Sequence, residues 1–302
     1  MARVLVTGGA GFIGSHLVDR LVARGDEVLV LDDLSQGQRD RVADCRLLEG
    51  RVQDIRRFRT ELAGVTRIFH LAALISGYDS LHTPDAYLDA NATGTLRLLE
   101  ETKVLPGVRV IFASSSTVYG NRAEPVRSET DVPAPITVYA ASKLLGEHLL
   151  AMYAPLFGYS HVSLRLFNVY GPRQNPDHPY ANVTCKFAYA AARGTPVALY
   201  GDGRQSRDFI YVDDVVDALL AVERQAAEPV YNVGTGEDAA ILDLLHLAER
   251  AGGRKLAVEP KAAWPNDIRA IRADASRLAG ETGWKPQVSL STGMQRTVDW
   301  FR

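Results

Sequence analysis

Tyr139 and Lys143 stand four residues apart in the segment Tyr139-Ala140-Ala141-Ser142-Lys143, a spacing that places two side chains on one face of a helix. A phenol with an ordinary pKa of about 10 is a poor base at neutral pH. A neighbouring ammonium favours the phenolate and lowers that pKa, so Tyr139 can take a proton from an alcohol while hydride leaves the adjacent carbon. A second hydroxyl cluster, Ser114-Ser115-Ser116-Thr117, follows an apolar strand. There Ser115 can hydrogen-bond the same substrate oxygen and help pass its proton. Taken alone, a Tyr–Lys pair also fits an ordinary surface feature, and its weight comes from the elements around it.

The first of these elements opens the chain. The apolar run Arg3-Val4-Leu5-Val6 leads into Thr7-Gly8-Gly9-Ala10-Gly11-Phe12-Ile13-Gly14, and Ile13, Leu17, Val18, Leu21 and Val22 then recur at helical spacing. Strand, glycine turn and helix together hold a dinucleotide pyrophosphate: Gly8 permits the turn, Gly11 leaves room for phosphate and Gly14 lets the helix pack closely. The helix N-terminus directs unpaired N–H groups and a positive partial charge at the anion. A second strand, Glu27-Val28-Leu29-Val30-Leu31, ends at Asp32. A carboxylate there binds adenosine ribose hydroxyls and repels the extra phosphate of NADP, which favours NAD. The plainer alternative is an ordinary turn with Asp32 capping a loop. A positively charged nicotinamide ring would further favour the Tyr139 phenolate, and Lys143 could hold its ribose.

The 302 residues are 46% hydrophobic and 23% charged, with a formal net charge of −2. That composition suits a large core with a smaller second lobe. Bulk charge gives no support for nucleic-acid or anionic-membrane binding, and no apolar stretch approaches a membrane span. The N-terminus enters a strand without the pattern of a signal peptide. Cys45 and Cys185 are the only two cysteines; they are far apart, which fits a reducing, cytoplasmic setting without a structural disulfide. The seven histidines show no zinc-ligand spacing, so no metal is expected, and His70 at a strand end reads as a hydrogen-bonded core residue.

Further strands are expected at 46–49, 66–73, 108–113 and 161–167. Helices are expected at Pro84 to Val104, with Asn91 either tying loops together or facing solvent, and at about Val138 to Phe157. Strands alternating with helices at this spacing argue an α/β fold with a parallel sheet covered on both faces. After Asn168 the regularity breaks: a loop, a helix from about Tyr180 to Arg193, a strand 209–212, and Asp213-Asp214 capping a helix from Val215 to Val222. The expected domains are therefore 1–167, binding NAD, and 168–302, a substrate lobe with interleaved segments.

In TGGAGFIGSH (7–16), HLAA (70–73), SSSTVYG (114–120), YAASK (139–143), FNVYGPRQ (167–174) and YGDGRQSRDFIYVDDV (200–215), the chain resembles the extended short-chain dehydrogenase/reductases, specifically nucleotide-sugar enzymes of the UDP-galactose 4-epimerase type. The resemblance implies a Rossmann doubly wound parallel sheet with a smaller C-terminal α/β lobe. It implies that Gly8, Gly11 and Gly14 surround the pyrophosphate, with backbone N–H groups of Phe12 and Ile13, and that Asp32 binds ribose. Leu71, Ala72 and Ala73 would line the cofactor, with Asn91 supporting the fold nearby. Ser115, Tyr139 and Lys143 would be catalytic, with Ser116 beside them at the substrate. Asn168 and Arg207 would approach the substrate diphosphate, and Asp267 would contact the nucleotide. Relatives commonly form homodimers through the helix near 84–104 and the Tyr139 helix, where Leu144, Leu145, Leu149 and Leu150 lie; a core-facing role for these leucines is the alternative.

Three departures stand out. Arg51 replaces an aspartate that touches adenine, leaving the backbone around Val52 to accept that bond. Trp264-Pro265-Asn266 replaces a segment carrying a phosphate-binding arginine, for which Arg269 can substitute. Ile75 replaces a lysine frequent in galactose-specific epimerases. Dehydratases of the family place Asp-Glu after their catalytic threonine, and glucuronate decarboxylases place a glutamate just before VYG. Ser116 and Thr117 have no carboxylate acidity, which favours simple hydride return and inversion at C4. Asn175 replaces a second arginine of glucuronate epimerases, leaning toward glucose/galactose, whereas Ile271 at a gate position keeps N-acetylhexosamines open. The expected activity is UDP-glucose/UDP-galactose 4-epimerisation. Epimerisation of UDP-N-acetylhexosamine or UDP-glucuronate, a nucleotide-sugar dehydratase or reductase, and a catalytically silent NAD-binding scaffold are the alternatives.

Overall fold

The computed structural model describes residues 1–177, 181–225, 229–263 and 268–302. Its largest sheet has seven strands: β1 (Arg3–Thr7), β2 (Glu27–Asp32), β3 (Arg46–Glu49), β4 (Arg67–His70), β5 (Arg109–Ser115), β6 (Ser160–Leu166) and β7 (Val230–Val233). They lie in the order β7-β6-β5-β4-β1-β2-β3. The pairings of β1 with β2 and β4, β2 with β3, and β4 with β5 are parallel. The order reverses beside β1, and that reversal is the switch point where open α/β sheets bind ligands. The strand cores are fully apolar, with Val4, Leu5 and Val6 of β1 and Leu29, Val30 and Leu31 of β2 each 0% exposed, as a sheet buried on both faces requires.

Three helices position the candidate site: α1 (Phe12–Ala23), α2 (Gly94–Thr102) and α3 (Val138–Phe157). The bounds of α3 coincide with the expected ones. Thr137 caps its start by accepting from the Ala140 N–H at 3.2 Å, and Gly158 ends it in the left-handed conformation at φ 72°. The single helix expected over 84–104 is corrected. Pro84–Tyr87 is α-helical, Leu88–Thr93 forms a wide π turn, and α2 follows. The widening turns Asn91 inward, where it is buried.

The chain divides into two units. The first comprises Met1–Gly120, Val132–Arg165 and Ala218–Tyr231, and the second Asn121–Asp131, Leu166–Asp217 and Asn232–Arg302. Relative to the expected 1–167 and 168–302, residues 121–131 fall in the second unit and 218–231 in the first. The latter lead into the sheet edge, where the Ser163 N–H donates to Pro229 O at 2.7 Å. The second unit holds a four-stranded sheet, formed by Ala239–Ala240, Ser206–Arg207, Ala270–Ala273 and Val126–Arg127, and two two-stranded ones. The helix expected at 215–222 spans Val212–Arg224, so Asp213 and Asp214 belong to its first turn. The Asp214 carboxylate accepts instead from the N–H groups of Gln287 at 2.8 Å and Val288 at 3.1 Å. In the final helix Met294 and Val298 are buried, while Trp300 is exposed.

Candidate active site

The turn after β1 is shaped by contact rather than by composition alone. Gly8 has φ +72°, and a Cβ there would lie 2.7 Å from the Ala72 nitrogen. A Cβ on Gly14 would lie 2.1 Å from the Gly8 carbonyl oxygen. Both positions therefore require glycine. Gly11 precedes helix α1 with no side-chain cap, and the first turn carries no acidic residue. The N–H groups of Phe12 and Ile13 fall where no carbonyl of the helix can reach them. At the end of β2, the buried Asp32 carboxylate accepts from Ala10 N–H at 3.0 Å and Leu34 N–H at 2.9 Å. Burial raises its pKa and these two donors oppose the rise. Two bonds leave further lone pairs for ribose hydroxyls. A close-approach glycine cradle, an uncapped helix start and an acceptor at the next strand's end fit the two phosphates and the ribose of NAD.

Behind the turn lies a hydrogen-bonded chain that was not expected from the sequence beyond His70 being a core residue. Ala72 N–H donates to Thr7 Oγ1 at 3.2 Å, and Thr7 Oγ1 lies 2.7 Å from His70 Nδ1. His70 Nε2 lies 2.9 Å from Thr95 Oγ1, which donates to the Asn91 carbonyl at 2.6 Å. One assignment satisfies every member: a neutral ring with its hydrogen on Nε2. Burial, and secondarily Lys143, push the imidazole down to about 3, consistent with that neutral form. Leu71, Ala72 and Ala73 are half-buried at this strand end. Asn91 does tie segments together: its amide bonds the N–H and C=O of Leu74, each at 2.9 Å, and donates to Ser142 Oγ at 2.9 Å. Ser142 in turn donates to the Tyr139 carbonyl at 2.7 Å.

Helix α3 presents Tyr139, Lys143 and Glu147 on one buried face. The Ser115 hydroxyl lies near enough to the Tyr139 phenol to hold its pKa down, and the Tyr87 ring stands edge-on to it at 6.5 Å. Ser116 is buried at the start of the short 3-10 turn Ser116–Tyr119. Lys143 Nζ donates to the Ala113 carbonyl at 2.8 Å and lies 5.0 Å from the Phe112 ring centre. One electrostatic expectation is corrected. Burial, the largest influence, pushes the Tyr139 phenol up, Ser115 pulls it down and Tyr87 raises it; Lys143 makes no resolved contribution. Burial also brings Lys143 down to about 7. A low-dielectric site disfavours the charged form of both groups, so the pair does not by itself create a phenolate.

Sequence reasoning did not single out the brace beneath these residues. Glu147 receives Arg165 through Nε at 3.0 Å and Nη2 at 2.8 Å, and Ser114 Oγ at 2.5 Å. The signal was present in the four-residue step from Lys143 to Glu147, which continues the same helix face.

The departures have definite placements. The Arg51 guanidinium pairs with the Asp89 carboxylate, which also accepts from Gln53 Nε2 at 2.9 Å, and Val52 is buried at the start of the 3-10 helix Val52–Phe58. In the second unit, the backbone N–H and side-chain amide of Asn168 each lie 3.1 Å from the Asp208 carbonyl, adjacent in sequence to Arg207. Arg207 Nη1 donates to the carbonyls of Ser206 and Ile268 at 2.8 and 2.5 Å. Arg269 is exposed, 3.9 Å from Asp202, and Ile271 is buried, paired in register with Arg207. Asp267, with Trp264, Pro265 and Asn266, lies outside the described residues. Among the described residues, no group of three or more His, Cys, Asp or Glu side chains could hold a metal ion. No helix among them is long and apolar enough to cross a membrane.

Residues 4–234 match the model of the NAD dependent epimerase/dehydratase family. The UDP-glucose 4-epimerase of Mycolicibacterium smegmatis is 39% identical over 99% of this chain and 98% of its own. The crystal structure of the Thermus thermophilus UDP-glucose 4-epimerase in complex with NAD superposes with a TM-score of 0.92 at 38% identity, covering 99% of this chain and 98% of that one. A UDP-N-acetylglucosamine 4-epimerase from Methanobrevibacter ruminantium, in complex with UDP-N-acetylmuramic acid, does so with a TM-score of 0.94 at 34% identity, with the same coverage. The match begins in β1, takes in the glycine turn, Asp32 and the Tyr139 helix, and extends to Gly234: the chain belongs to the NAD dependent epimerase/dehydratase family, and NAD is its cofactor.

Proposed function

We propose that this nucleotide-sugar enzyme interconverts UDP-glucose and UDP-galactose by inverting C4 of the hexose. When bound, NAD supplies the site that accepts hydride from that carbon and returns it. Tyr139 takes the proton of the C4 hydroxyl and gives it back, Ser115 hydrogen-bonds the same oxygen, and Lys143 holds the nicotinamide ribose. Gly8, Gly11, Phe12, Ile13, Gly14 and Asp32 hold the pyrophosphate and adenosine ribose, with Val52, Leu71, Ala72 and Ala73 lining the cofactor. Asn168, Arg207, Arg269 and Asp267 serve the nucleotide diphosphate, and Ser116 the sugar.

The observation that carries the reading is the neighbourhood of Ser115. It holds the pKa of Tyr139 down, and the next two residues are a buried serine and a threonine. Water elimination or decarboxylation needs an acid or base of carboxylate strength there, and hydride return needs none. A second reading, epimerisation of UDP-N-acetylglucosamine, is favoured by Ile271, which is smaller than the tyrosine that excludes N-acetyl sugars in relatives. Asn175 argues against UDP-glucuronate, lacking the cation that would pair with its carboxylate. We also propose a homodimer, supported by the apolar stripe Leu145, Met152 and Leu156 exposed on α3.

The test is incubation of the protein, without added cofactor, with a panel of nucleotide sugars whose products are resolved by chromatography. Interconversion of UDP-glucose and UDP-galactose with no net NADH supports the reading. Conversion of only N-acetylated sugars moves the assignment to the second reading. A dehydrated, decarboxylated or net-reduced product overturns both. A protein that neither converts any sugar nor traps NADH absorbance is a scaffold.

A further inference from the structure

Ser115 ends β5 and opens the 3-10 turn Ser116–Tyr119, and its hydroxyl oxygen accepts twice from one neighbour. The Thr117 N–H donates to it at 3.2 Å and the Thr117 Oγ1–H at 2.9 Å. A serine oxygen has two lone pairs and one hydrogen. Both lone pairs are engaged, so what remains is the hydrogen, on an oxygen near enough to the Tyr139 phenol to hold its pKa down. Such a hydroxyl can donate but has no capacity left to accept a third proton donor.

We propose that Thr117 is a positioning residue that commits Ser115 to donating: the Ser115 O–H steadies the anionic oxygen of Tyr139 or of the sugar, and does not relay the sugar's proton. The inference rests on the reading of Tyr139 as the proton acceptor. The transfer is then direct. The O–H bond at the sugar's C4 oxygen breaks, an O–H bond forms at the Tyr139 phenolate, and the hydrogen on Ser115 stays where it is throughout. This replaces the proton-passing role expected for Ser115 from the sequence. It also gives a reason for threonine at 117. The backbone N–H alone would leave one lone pair of Ser115 open, and the Oγ1 hydroxyl at 117 fills it. The other titratable group bearing on Tyr139 is Tyr87, edge-on to its ring; Lys143 stands one turn along α3, and its charge helps keep the buried His70 neutral.

The test compares pH–rate profiles for conversion of UDP-hexose by the NAD-containing wild type, Thr117→Val, Thr117→Ser, Ser115→Ala and the Ser115→Ala/Thr117→Val double variant. Valine keeps the shape and the N–H but removes the Oγ1 donor. Loss of one hydrogen bond to an oxygen that serves an anion raises the acid-limb pKa by roughly one unit and lowers turnover at pH 7 about tenfold. KM should be unchanged, the rate should recover at higher pH, and Thr117→Ser should restore the wild-type profile. In the Ser115→Ala background, Thr117→Val should add nothing further. A loss equal at every pH, a loss of the same size without the serine, or no rescue by Thr117→Ser would make Thr117 merely structural and overturn the proposal. Should Thr117→Val fail to fold, Thr117→Ala is read by the same criteria. An impaired Ser115→Ala beside an unaffected Thr117→Val defeats this inference alone. A fully active Ser115→Ala defeats the reading of the site and this inference with it.

Discussion

The Phe112 ring packs against two buried bases. His70 stacks on its ring at 5.5 Å and the Lys143 ammonium lies 5.0 Å from its centre. Burial makes Lys143 shed its proton at about 7, far below its ordinary 10.5. Between those values the unfolded chain binds more protons at this position than the folded one, so stability rises with pH across the window. Equivalently, the contribution is complete above pH 10.5 and falls away as pH drops toward 7. In the cofactor-free protein, the gain in unfolding free energy from about pH 7 to about pH 9.5, read by urea denaturation, should shrink in Lys143→Met. An unchanged slope would mean that the ammonium is solvated. The same property suits the site, since a lysine near neutrality can pair with an incoming hydroxyl or phosphate at little cost in reprotonation.

The helix that carries Tyr139 is held by charge as well as by packing. The side chains of Arg165 and Glu147 are 5% and 7% exposed, and Ser114 bonds the same carboxylate. Glu147→Gln removes the countercharge and leaves a buried guanidinium, a change that costs about 3–5 kcal/mol; urea unfolding should show it, and a loss under about 1 kcal/mol, the worth of an exposed pair, would place the pair in water. Local elements of this kind were legible in part. Strand β1, its turn and α1 could be read because glycine spacing and apolar periodicity act within a dozen residues. Likewise Thr137 and Gly158 mark the ends of α3 from within the segment. Asn91 could not be placed, because its partner Ser142 is 51 residues away. Asp214 reads as a cap, yet serves Gln287 and Val288, 73 and 74 residues on. Glu147 was visible on the right helix face, but Arg165 lies on strand β6. The electrostatic expectation for Tyr139 failed for a related reason: the depth of burial, which dominates its pKa, is a property of the assembled sheet and helices and not of the Tyr–Lys spacing.

Across the whole molecule, strand order and sheet division follow the alternation of apolar strands and helices, and the family match extends over most of the chain. On α3, Leu150 is buried, Leu144 and Leu149 are partly so, and Leu145 joins Met152 and Leu156 on the outer face, so the leucines divide between core and surface. If that stripe joins two copies, light scattering should give twice the mass of one chain for the wild type and one chain's mass for Leu145→Glu/Met152→Glu. A monomeric wild type would contradict the dimer. The proposed function makes the Tyr139 phenol the proton acceptor in a protein that keeps its NAD. The most direct measurement is therefore to purify Tyr139→Phe, quantify its bound NAD and assay UDP-glucose conversion. NAD content should equal the wild type's, with turnover at least about a thousandfold lower, within the range a lost proton-transfer group commands. Conversion at the wild-type rate would contradict it.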